Sequence, residues 1–395
     1  MKTEARSVSS LSAMGSHPGK KRTAGSAQAP ADATGTQRSL EKLRAQMDEL
    51  SVKLVRLLND RARVAEQIGR IKRANGAAFY QPGREREVIA QMQAENTGPL
   101  SDHQVRRIFT EIISACRALE DELRVAFLGP EHTYSHEAAL RHFGASATFV
   151  PEGSIAGVFQ ALENGRADLG VVPVENSTEG SVTLTLDLLI DTPLAIIGEV
   201  MLPIRHALLS RSGDRAAISR IVSHQQSLAQ CRGYLAANYP KCELEAVASN
   251  AVAAQRAAED RGCAAIASLS AAEAYGLQVI AENIQDLAQN ATRFLVIGKH
   301  PVGKTGADKT TVLFAVRDQV GALHEVLGLF ARNGINISKI ESRPLRSRPW
   351  EYLFFVDLGG HRDDPRLKRT LAALERKALF LKVLGSYPEG RSAAG

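Results

Sequence analysis

The chain has 395 residues, enough for two or three domains of about 150 residues, each with its own hydrophobic core. This length excludes a single small binding module. Hydrophobic residues make up 44% and charged residues 23% of the sequence, which excludes a disordered chain or a membrane protein. The net charge is +6, of which +4 comes from residues 1–38. No basic stripe with interleaved aromatic residues follows, so we expect no binding to nucleic acid.

The N-terminal segment 1–37 is rich in Ser, Ala, Gly, Thr and Pro and has almost no large apolar side chains. Such a composition predicts a disordered tail. No apolar core of a signal peptide and no apolar run of about 18 residues occurs, so we expect no membrane contact. The four cysteines lack CxxC spacing, which indicates neither a zinc site nor a disulfide framework. We therefore expect reduced thiols and a cytoplasmic protein.

The segment 38–122 has the apolar spacing of helices. Apolar residues recur three or four positions apart over Leu40–Ile71, which predicts one helix of about 32 residues. Two shorter helices are predicted over 83–96 and 101–122, and Ser101–Gln104 matches a capping box. Helices of such unequal length leave much of the long apolar stripe uncovered within one chain. We therefore expect a second copy to cover the stripe, in an intertwined helical dimer.

From residue 123 to 300, short β-rich runs such as RVAFL and RFLVIG alternate with helical ones. This alternation predicts an α/β domain with one or two lobes. Over 308–388 the predicted order is strand, helix, strand, strand, helix, strand, which is the ferredoxin-like α+β unit. A small domain of this kind is more often a ligand sensor or an assembly module than a catalyst, although the fold alone does not decide its function.

An arginine interrupts the apolar face of the long helix. Arg61 lies where the spacing from Leu57 predicts an aliphatic residue. The side chain is either a snorkelling or ion-paired arginine or a ligand contact. Lys72, eleven residues on, projects about 20° from Arg61 in azimuth and about 16 Å along the axis. Two long side chains with this spacing could hold a small anion between them.

Several short motifs in this helical segment resemble the all-helical chorismate mutases. They are Leu43-Arg44, Asp60-Arg61, Gly69 to Lys72, Arg84-Glu85 and the run IFTEIISACRALE. The resemblance implies a Claisen rearrangement without covalent chemistry, in which the site holds a dianion compactly. The residues that it implies for binding carboxylates are Arg44 of the partner subunit, Arg61 and Arg84, whose planar donors suit carboxylates. Further implied contacts are Lys72 to the ether oxygen, Glu85 to the hydroxyl, and Gln81 and Cys116 to the substrate.

Two residues depart from the pattern of these mutases. Gln81 replaces an acid that some members have, and Glu120 stands where an amide often donates to the ether oxygen. An ionised Glu120 could not donate a hydrogen bond. We therefore expect Glu120 to be protonated in the substrate complex, with mutase activity that weakens as the pH rises.

Four motifs in the α/β segment, taken together and in order, closely resemble prephenate dehydratases: VAFLGPEHTYSHEAA, VVPVENSTEGS, VSHQQSLAQC and NATRF. The resemblance implies two α/β lobes with a cleft, similar to periplasmic binding proteins, and conversion of prephenate to phenylpyruvate with loss of carbon dioxide and water. It implies Thr292 as the hydrogen-bond donor to the leaving hydroxyl. The other residues implied to shape or line the cleft are Glu175, Asn176, Ser177, Ser223, Gln226, Arg293 and Phe294. A structural reading of Thr292 is a threonine at the start of a strand. Nucleophilic catalysis by Ser223 and His224 is disfavoured, because no G-x-S-x-G elbow is present.

Two motifs in the last segment match the phenylalanine-binding motifs of ACT regulatory domains. They are Gly321, Ala322 and Leu323 at a predicted helix start, and Glu341, Ser342, Arg343 and Pro344 at a predicted strand end. A helix N-terminus attracts a carboxylate, and a glycine there permits close backbone approach. His324 replaces the aliphatic residue that often follows, and a structural role for Arg343 remains an alternative to a ligand contact.

The three resemblances have consistent chemistry, because the product of the first reaction is the substrate of the second. They imply a bifunctional enzyme that converts chorismate to prephenate and then to phenylpyruvate, and that phenylalanine inhibits as an effector. They imply no metal and no organic cofactor, and a homodimer or higher homo-oligomer. Two alternatives stay open: a sensor without turnover, and a dehydratase that prefers arogenate, whose amino group calls for an acidic partner in the cleft.

Overall fold

The computed structural model describes residues 33–76, 80–344 and 352–390. The chain divides into two units after Asn59. Helix α1 (Ala33–Ala74) has 42 residues, longer than predicted, and it begins inside the segment expected to be a disordered tail. The rest of that segment lies outside the described residues. The helix starts earlier than predicted because extending an existing helix costs much less free energy than nucleating a new one. No large apolar residue is needed to mark such an extension.

In the first unit the described residues are all helical, and every side chain from 36 to 57 is exposed. The exposed set includes the large apolar side chains of Leu40, Leu43, Met47, Leu50, Leu54 and Leu57.

In the second unit, α2 (Pro82–Ala94) and α3 (Asp102–Glu120) follow the end of α1. Pro82 occupies the first turn of α2, where its missing N–H leaves no hydrogen bond unmade. The predicted capping box of α3 is confirmed: Ser101 Oγ accepts from the Gln104 N–H, and the Gln104 side chain accepts from the Ser101 N–H.

The α/β segment contains eleven strands and seven helices among the described residues. The strands are β1 (Arg124–Leu128), β2 (Thr148–Glu152), β3 (Leu169–Asn176), β4 (Gly180–Ser181), β5 (Ala195–Pro203), β6 (Ala207–Ser210), β7 (Arg220–His224), β8 (Glu243–Val247), β9 (Cys263–Ala267), β10 (Gln278–Ala281) and β11 (Ala291–Gly298). The helices are α4 (Tyr134–Phe143), α5 (Ile155–Glu163), α6 (Thr183–Asp191), α7 (Gln225–Gln230), α8 (Arg232–Asn238), α9 (Asn250–Glu259) and α10 (Leu269–Tyr275), with a 3₁₀ turn at Arg215–Ala217.

These elements form two lobes, as one of the two predicted arrangements requires. The first lobe is a sheet of order β2-β1-β3-β11-β5, in which β4 also pairs with β3. The second lobe is a sheet of order β10-β6-β9-β7-β8. Strand β11 comes from the far end of the segment and inserts antiparallel between β3 and β5, so the chain returns to the first lobe after building the second.

The last domain has the predicted order of elements. They are β12 (Asp308–Ala315), α11 (Ala322–Arg332), β13 (Ile337–Pro344), β14 (Tyr352–Gly359), α12 (Pro365–Glu375) and β15 (Phe380–Pro388), with sheet order β13-β14-β12-β15. Phe314, Phe330 and Leu374 are fully buried between this sheet and its helices.

The opposite face of this last sheet packs on the first lobe. One apolar cluster contains Ile196 and Leu295 from the lobe together with Leu313, Phe355 and Leu384 from the last domain. The backbones approach so closely that a Cβ atom at position 385, which is a glycine, would overlap the backbone of the lobe. The two domains therefore share a core, because neither sheet buries this face alone.

Candidate functional site

Two residues of the predicted mutase site meet where α1 and α3 cross. Lys72 Nζ lies 2.7 Å from Glu120 Oε2, and both side chains are largely buried. Gly69 makes the crossing possible, because a Cβ atom there would lie 2.9 Å from the Cα atom of Glu120. The structure therefore brings together two of the residues that the resemblance implies for the mutase site.

A buried arginine organises Glu85. Arg117 Nη1 donates to Glu85 Oε1 over 2.6 Å, and Arg117 Nη2 donates to the carbonyl of Phe143 over 2.6 Å. The guanidinium also lies 5.7 Å from the ring centroid of Tyr80. Burial raises the pKa of Glu85, although Arg117 opposes the shift. Arg117 was not among the residues predicted from the sequence; a charged residue one turn from the buried Ile113 was the available signal.

The other mutase candidates have varied surroundings. Arg61 is half-buried and donates to the carbonyl of Ile112 over 3.4 Å. Cys116 is buried, whereas Gln81 and Arg84 are exposed, and Arg84 pairs with Glu87 at 3.2 Å. The remaining candidate, Arg44, belongs to the first unit and its side chain is exposed.

A cavity of about 610 Å³ lies between the two lobes of the α/β segment, a size typical of sites for small ligands. Both lobes contribute to its wall: Thr133, Tyr134, Ser135, Asn176, His206 and Thr292 belong to one side, and His224, Gln226, Ser227, Gln230, Ser249 and Asn250 to the other. Three of the predicted dehydratase residues, Asn176, Gln226 and Thr292, therefore lie together on the cavity wall.

The hydroxyl of Thr292 is oriented by Asn176. Asn176 Nδ2 donates to Thr292 Oγ1 over 2.9 Å and to Asn290 Oδ1 over 3.0 Å, which uses both of its hydrogens. The Thr178 backbone N–H and hydroxyl donate to Asn176 Oδ1. Because Thr292 Oγ1 accepts from Asn176, its own proton is available for a group in the cavity.

Four polar residues that were not among the predicted site residues extend this hydrogen-bond chain. Asn290 Nδ2 donates to Gln230 Oε1 over 2.9 Å, and His206 Nε2 lies 2.9 Å from the same oxygen. Tyr134 Oη lies 2.8 Å from His206 Nδ1. Burial lowers the pKa of His206 and raises that of Tyr134, so both groups are neutral at pH 7. Tyr134 lies in a motif quoted for the resemblance, whereas nothing in the sequence marks His206.

Three predicted dehydratase residues do not line the cavity. Ser223 is fully buried and donates to the carbonyl of Ile266 over 2.7 Å. Ser177 accepts from the backbone N–H of Ala291 over 3.0 Å, at the surface. Phe294 is 2% exposed within the core of the first lobe. The wall of this cavity therefore does not include the three residues that were expected to shape or line the cleft.

Two more predicted residues face the last domain rather than the cavity. Arg293 Nη1 donates to Asp357 Oδ2 over 2.6 Å, and Glu175 Oε2 lies 2.8 Å from Lys339 Nζ. Side chains alternate between the two faces of a strand. Asn176 and Thr292 point into the cavity, so their neighbours Glu175 and Arg293 point the other way.

In the last domain, the predicted effector residues fall into two groups. Gly321 has φ +84° and precedes α11, Ala322 is buried, and Leu323 is half-buried. The residues of β13 alternate: Ser342 and Pro344 are exposed, while Glu341 accepts from Ser181 Oγ over 3.0 Å and Arg343 lies 3.0 Å from Asp187. The ion pair of Arg343 agrees with the structural alternative for this residue.

The cavity wall carries no lysine and no arginine among the residues that the structure describes. Its acid, Glu152, is paired with Arg166. Instead, α4 and α9 begin at the wall, with Thr133 and Ser249 as N-caps. Backbone N–H groups and the positive end of the helix dipole at such positions favour carboxylates. Within the described ranges, no cluster of potential metal ligands occurs, and no helix is long and apolar enough to cross a membrane.

Three family models match consecutive parts of the chain. They are chorismate mutase type II over residues 43–121, prephenate dehydratase over 125–302 and the ACT domain over 310–376. A relative from Stutzerimonas stutzeri named bifunctional chorismate mutase/prephenate dehydratase is 47% identical over 358 residues, which cover 89% of this chain and 98% of the relative. The chain belongs to the bifunctional chorismate mutase/prephenate dehydratase family. A member from Escherichia coli K12 is 32% identical and is covered over 95% of its length.

Two solved structures are similar to about two thirds of this chain. A prephenate dehydratase from Arthrobacter aurescens in complex with L-Phe is 36% identical, with a TM-score of 0.63 over 69% of this chain and 92% of that one. A protein described as GqqA, a novel type of quorum quenching acylase, is 32% identical, with a TM-score of 0.62 over 68% of this chain and 98% of that one. The family and three-domain fold predicted from the sequence are confirmed.

Proposed function

We propose that this bifunctional enzyme rearranges chorismate to prephenate in its helical domain and converts prephenate to phenylpyruvate in the cavity between the lobes, under inhibition by phenylalanine. The observation that carries the proposal is the hydroxyl of Thr292 on the cavity wall, with Asn176 donating to it. We further propose that the enzyme works in the cytoplasm, where its four unpaired cysteines stay reduced.

In the dehydratase reaction, a C–C bond of prephenate breaks to release carbon dioxide, and its electron pair enters the ring. The ring C–O bond breaks in turn, and the departing hydroxide takes up a proton from solvent water to become water, with the hydroxide so formed released to the solvent. Thr292 stabilises this developing charge by donating a hydrogen bond, because its own acceptor position is filled by Asn176. A threonine hydroxyl is a weak acid, so Thr292 acts by positioning rather than by full proton transfer.

The two carboxylates of prephenate need anchors other than side-chain cations on this wall. The N-terminal turns of α4 and α9 supply backbone N–H groups there, and Gln226 adds a side-chain amide. Glu152, the acid on the wall, is paired with Arg166, which leaves no unpaired carboxylate among the described lining residues for the ammonium group of arogenate. This arrangement favours prephenate over arogenate.

In the mutase reaction, Lys72 donates to the ether oxygen of chorismate, and Glu120 donates once protonated. Their side chains are 2.7 Å apart, and we expect the ether oxygen of the substrate to replace this contact. Glu85 holds the substrate hydroxyl, since Arg117 fixes its carboxylate from the other side. Arg61 and Arg84 bind carboxylates, and Gln81 and Cys116 complete the wall.

A second copy of the chain completes the mutase site. The exposed apolar stripe of α1 requires cover, because large apolar patches rarely stay exposed in a monomer. Pairing of two α1 helices buries the stripe and brings Arg44 of the partner subunit toward the substrate. The functional unit is therefore a homodimer or a larger assembly of such dimers.

The ACT domain binds phenylalanine as the effector. The similar structure from Arthrobacter aurescens is described with L-Phe. Gly321, in the left-handed region at the start of α11, permits the effector's carboxylate to approach the backbone. Leu323 offers apolar contact, and the motif from Glu341 to Pro344 forms the second part of the site.

The acylase described among the similar structures suggests amide hydrolysis as a second candidate. That reaction by nucleophilic catalysis needs a serine, threonine or cysteine bonded to a base. In the described part of the cavity, His206 bonds to Tyr134 and Gln230, and His224 Nδ1 accepts the backbone N–H of Gln226. Neither histidine has a hydrogen bond to a serine or threonine hydroxyl in the described structure, so dehydration is the better-supported function.

The test gives the purified enzyme chorismate alone and follows chorismate, prephenate and phenylpyruvate with and without phenylalanine. We expect phenylpyruvate to form and phenylalanine to suppress it. Accumulation of prephenate would refute the dehydratase role, no turnover would favour a sensor, and indifference to phenylalanine would refute the effector site. A separate assay that supplies either prephenate or arogenate directly tests the substrate preference.

Single variants test the separate sites. Thr292→Val should lower dehydratase kcat by about 10²- to 10³-fold, the usual cost of one transition-state donor, and should leave the mutase unchanged. Thr148→Val, at an exposed strand start that is not part of the cavity wall, is the matched control and should change neither activity. Arg61→Ala should abolish the mutase and spare the dehydratase. Loss of both activities in a folded Thr292→Val enzyme would contradict separate sites.

A further inference from the structure

Strand β11 lies between the dehydratase cavity and the ACT domain. Thr292 faces the cavity, and the next residue, Arg293, sends its side chain to the opposite face of the sheet. One residue of the strand thus borders the substrate while its neighbour borders the regulatory domain.

The guanidinium of Arg293 is bound by three buried groups. Its Nε donates to Glu199 Oε2 over 2.7 Å, its Nη1 donates to Asp357 Oδ2 over 2.6 Å, and its Nη2 donates to Tyr387 Oη over 3.0 Å. Glu199 belongs to the dehydratase lobe, and the other two partners belong to the ACT sheet. Arg293 is 8% exposed, and each partner is less exposed. The three nitrogens of a guanidinium donate in one plane in fixed, diverging directions, which the single ammonium group of a lysine does not reproduce.

The remaining members of the cluster complete its charge and its hydrogen bonds. Lys309 Nζ lies 2.8 and 3.1 Å from the two oxygens of Glu199, and the Gly390 N–H donates to Glu199 Oε1 over 2.7 Å. Thr311 Oγ1 donates to Asp357 Oδ1 over 2.6 Å. Each oxygen of Glu199 and Asp357 accepts at least one hydrogen bond, and these two carboxylates balance Arg293 and Lys309. Glu175 Oε2 lies 3.9 Å from Arg293 Nη1 and is balanced by Lys339 at 2.8 Å.

The pairing of β11 with β3 is irregular at the same place. Thr292 pairs with Asn176 and Arg293 with Glu175, but Phe294 pairs with Pro173, so β3 contains one extra residue. Such a bulge locally bends a strand and re-aims its side chains. The bulge follows directly after the pair of Arg293 and Glu175, one residue beyond the pair of Thr292 and Asn176.

We propose that Arg293 is a positioning residue that couples the ACT domain to Thr292. Its guanidinium fixes β11 against β14 and β15. A shift of the ACT sheet therefore moves the backbone beside Thr292 and changes the direction in which the Thr292 hydroxyl donates its hydrogen bond. Tight binding of the effector to one arrangement of the ACT sheet then lowers the turnover of prephenate. The inference rests on the proposed roles of Thr292 and of phenylalanine.

The simpler reading is that the cluster only attaches the two domains. A buried ionic network is an inefficient attachment, because apolar residues of similar volume are often as stable or more stable. The interface already has apolar attachment, from the core that the lobe shares with the ACT sheet. The two readings differ in what happens when another contact across the same interface is removed.

Lys382 provides that comparison. From β15 its Nζ donates to the carbonyls of Leu189, Ile190 and Thr192 at the end of α6, over 2.7 to 3.2 Å. These bonds cross from the ACT domain to the dehydratase lobe as those of Arg293 do, but they do not touch β11. Lys382→Met is therefore the matched control.

The experiment compares full-length Arg293→Lys, Asp357→Asn and Lys382→Met enzymes. Dehydratase kcat and KM, the phenylalanine concentration for half-inhibition, and mutase activity are measured for each. Arg293→Lys keeps the charge and loses the fork, so kcat should fall about tenfold or more, since small misplacements of a reacting group are costly, with KM within twofold. The phenylalanine concentration for half-inhibition should change at least about fivefold in Arg293→Lys and in Asp357→Asn. A change of about fivefold is the lower end of the usual range of allosteric coupling. Lys382→Met should leave both quantities within about twofold.

Equal shifts in Lys382→Met would overturn the proposal in favour of general attachment, and so would unchanged kcat and inhibition in Arg293→Lys. Loss of mutase activity and of the unfolding transition would report that Arg293→Lys does not fold. In that case Asp357→Asn decides alone, because it preserves the shape of the side chain. Retained dehydratase activity in Thr292→Val would refute the proposed function itself, and that result is independent of the Arg293 series.

Discussion

The contact between Tyr80 and His142 predicts how the stability of the enzyme depends on pH. Tyr80 precedes α2 in the mutase domain, His142 lies in α4 of the dehydratase lobe, and Tyr80 Oη is 2.7 Å from His142 Nε2. Burial, and after it the charge of Arg117, lowers the pKa of His142 from 6.5 to about 4. The neutral imidazole is therefore the form that the folded state accommodates.

The sign follows from proton linkage. Between pH 6.5 and 4 the unfolded chain binds a proton at this histidine and the folded chain does not, so acidification favours unfolding. The stabilisation is complete above 6.5, the pKa of His142 in the unfolded chain. It is lost as the pH falls towards and through about 4, the pKa of His142 in the folded chain. A shift from 6.5 to about 4 corresponds to up to about 3 kcal/mol, of which about 2 kcal/mol is lost by pH 5.

The measurement compares thermal unfolding of the wild type and His142→Gln at pH 7.5 and pH 5. Glutamine does not titrate and retains an acceptor for the Tyr80 hydroxyl. For a chain of this size, about 2 kcal/mol corresponds to about 2–3 °C in Tm, so the wild type should lose about 2–3 °C more than the variant on acidification. Other groups that titrate are common to both proteins and cancel. An equal loss of Tm in both would refute the reasoning.

Two further predictions concern the mutase site. Gly69→Ala should separate α1 from α3, because its Cβ would meet the Cα of Glu120 at 2.9 Å; mutase kcat should fall and dehydratase kcat should not. In Gly69→Ala the cost of overpacking, about 1–3 kcal/mol, should outweigh the gain in helix propensity of about 1 kcal/mol, so the Tm should fall. Gly328→Ala is the control: the nearest atoms belong to a flexible arginine, so it should not lower the Tm. Glu120→Gln should raise mutase kcat/KM at pH 8 and flatten its pH profile, since an amide donates at every pH; identical profiles would contradict a protonated Glu120.

Local signals in the sequence predicted most of the elements. The apolar period predicted α1, a capping box predicted the start of α3, and the order of elements predicted the ACT fold. Each of these signals spans a few residues, so no knowledge of the tertiary structure is needed. The start of α1 at Ala33 was missed because no apolar residue marks it.

The candidate dehydratase site was predicted less completely, for a physical reason. A motif names neighbouring residues, but a strand sends neighbours to opposite faces. The alternation can be applied to a sequence as soon as a strand is predicted. It places Asn176 and Glu175 on opposite faces of the sheet, and likewise Thr292 and Arg293. The partners of Arg293 could not be predicted in this way, because Asp357 lies 64 residues away and meets it only through packing of two domains.

The shared core means that the ACT domain is part of the structure of the dehydratase and is not an appendage. Ile196 and Leu295, on strands β5 and β11, pack in one cluster with Phe355 and Leu384 of the ACT sheet. Without that sheet, the side chains on this face of β11 would meet water, at a cost of about 1.5–3 kcal/mol for each large apolar side chain, and Arg293 would lose two of its three buried partners. The strand that carries Thr292 is thus held by the domain that carries the predicted effector motifs, which would give the proposed regulation a short path to Thr292.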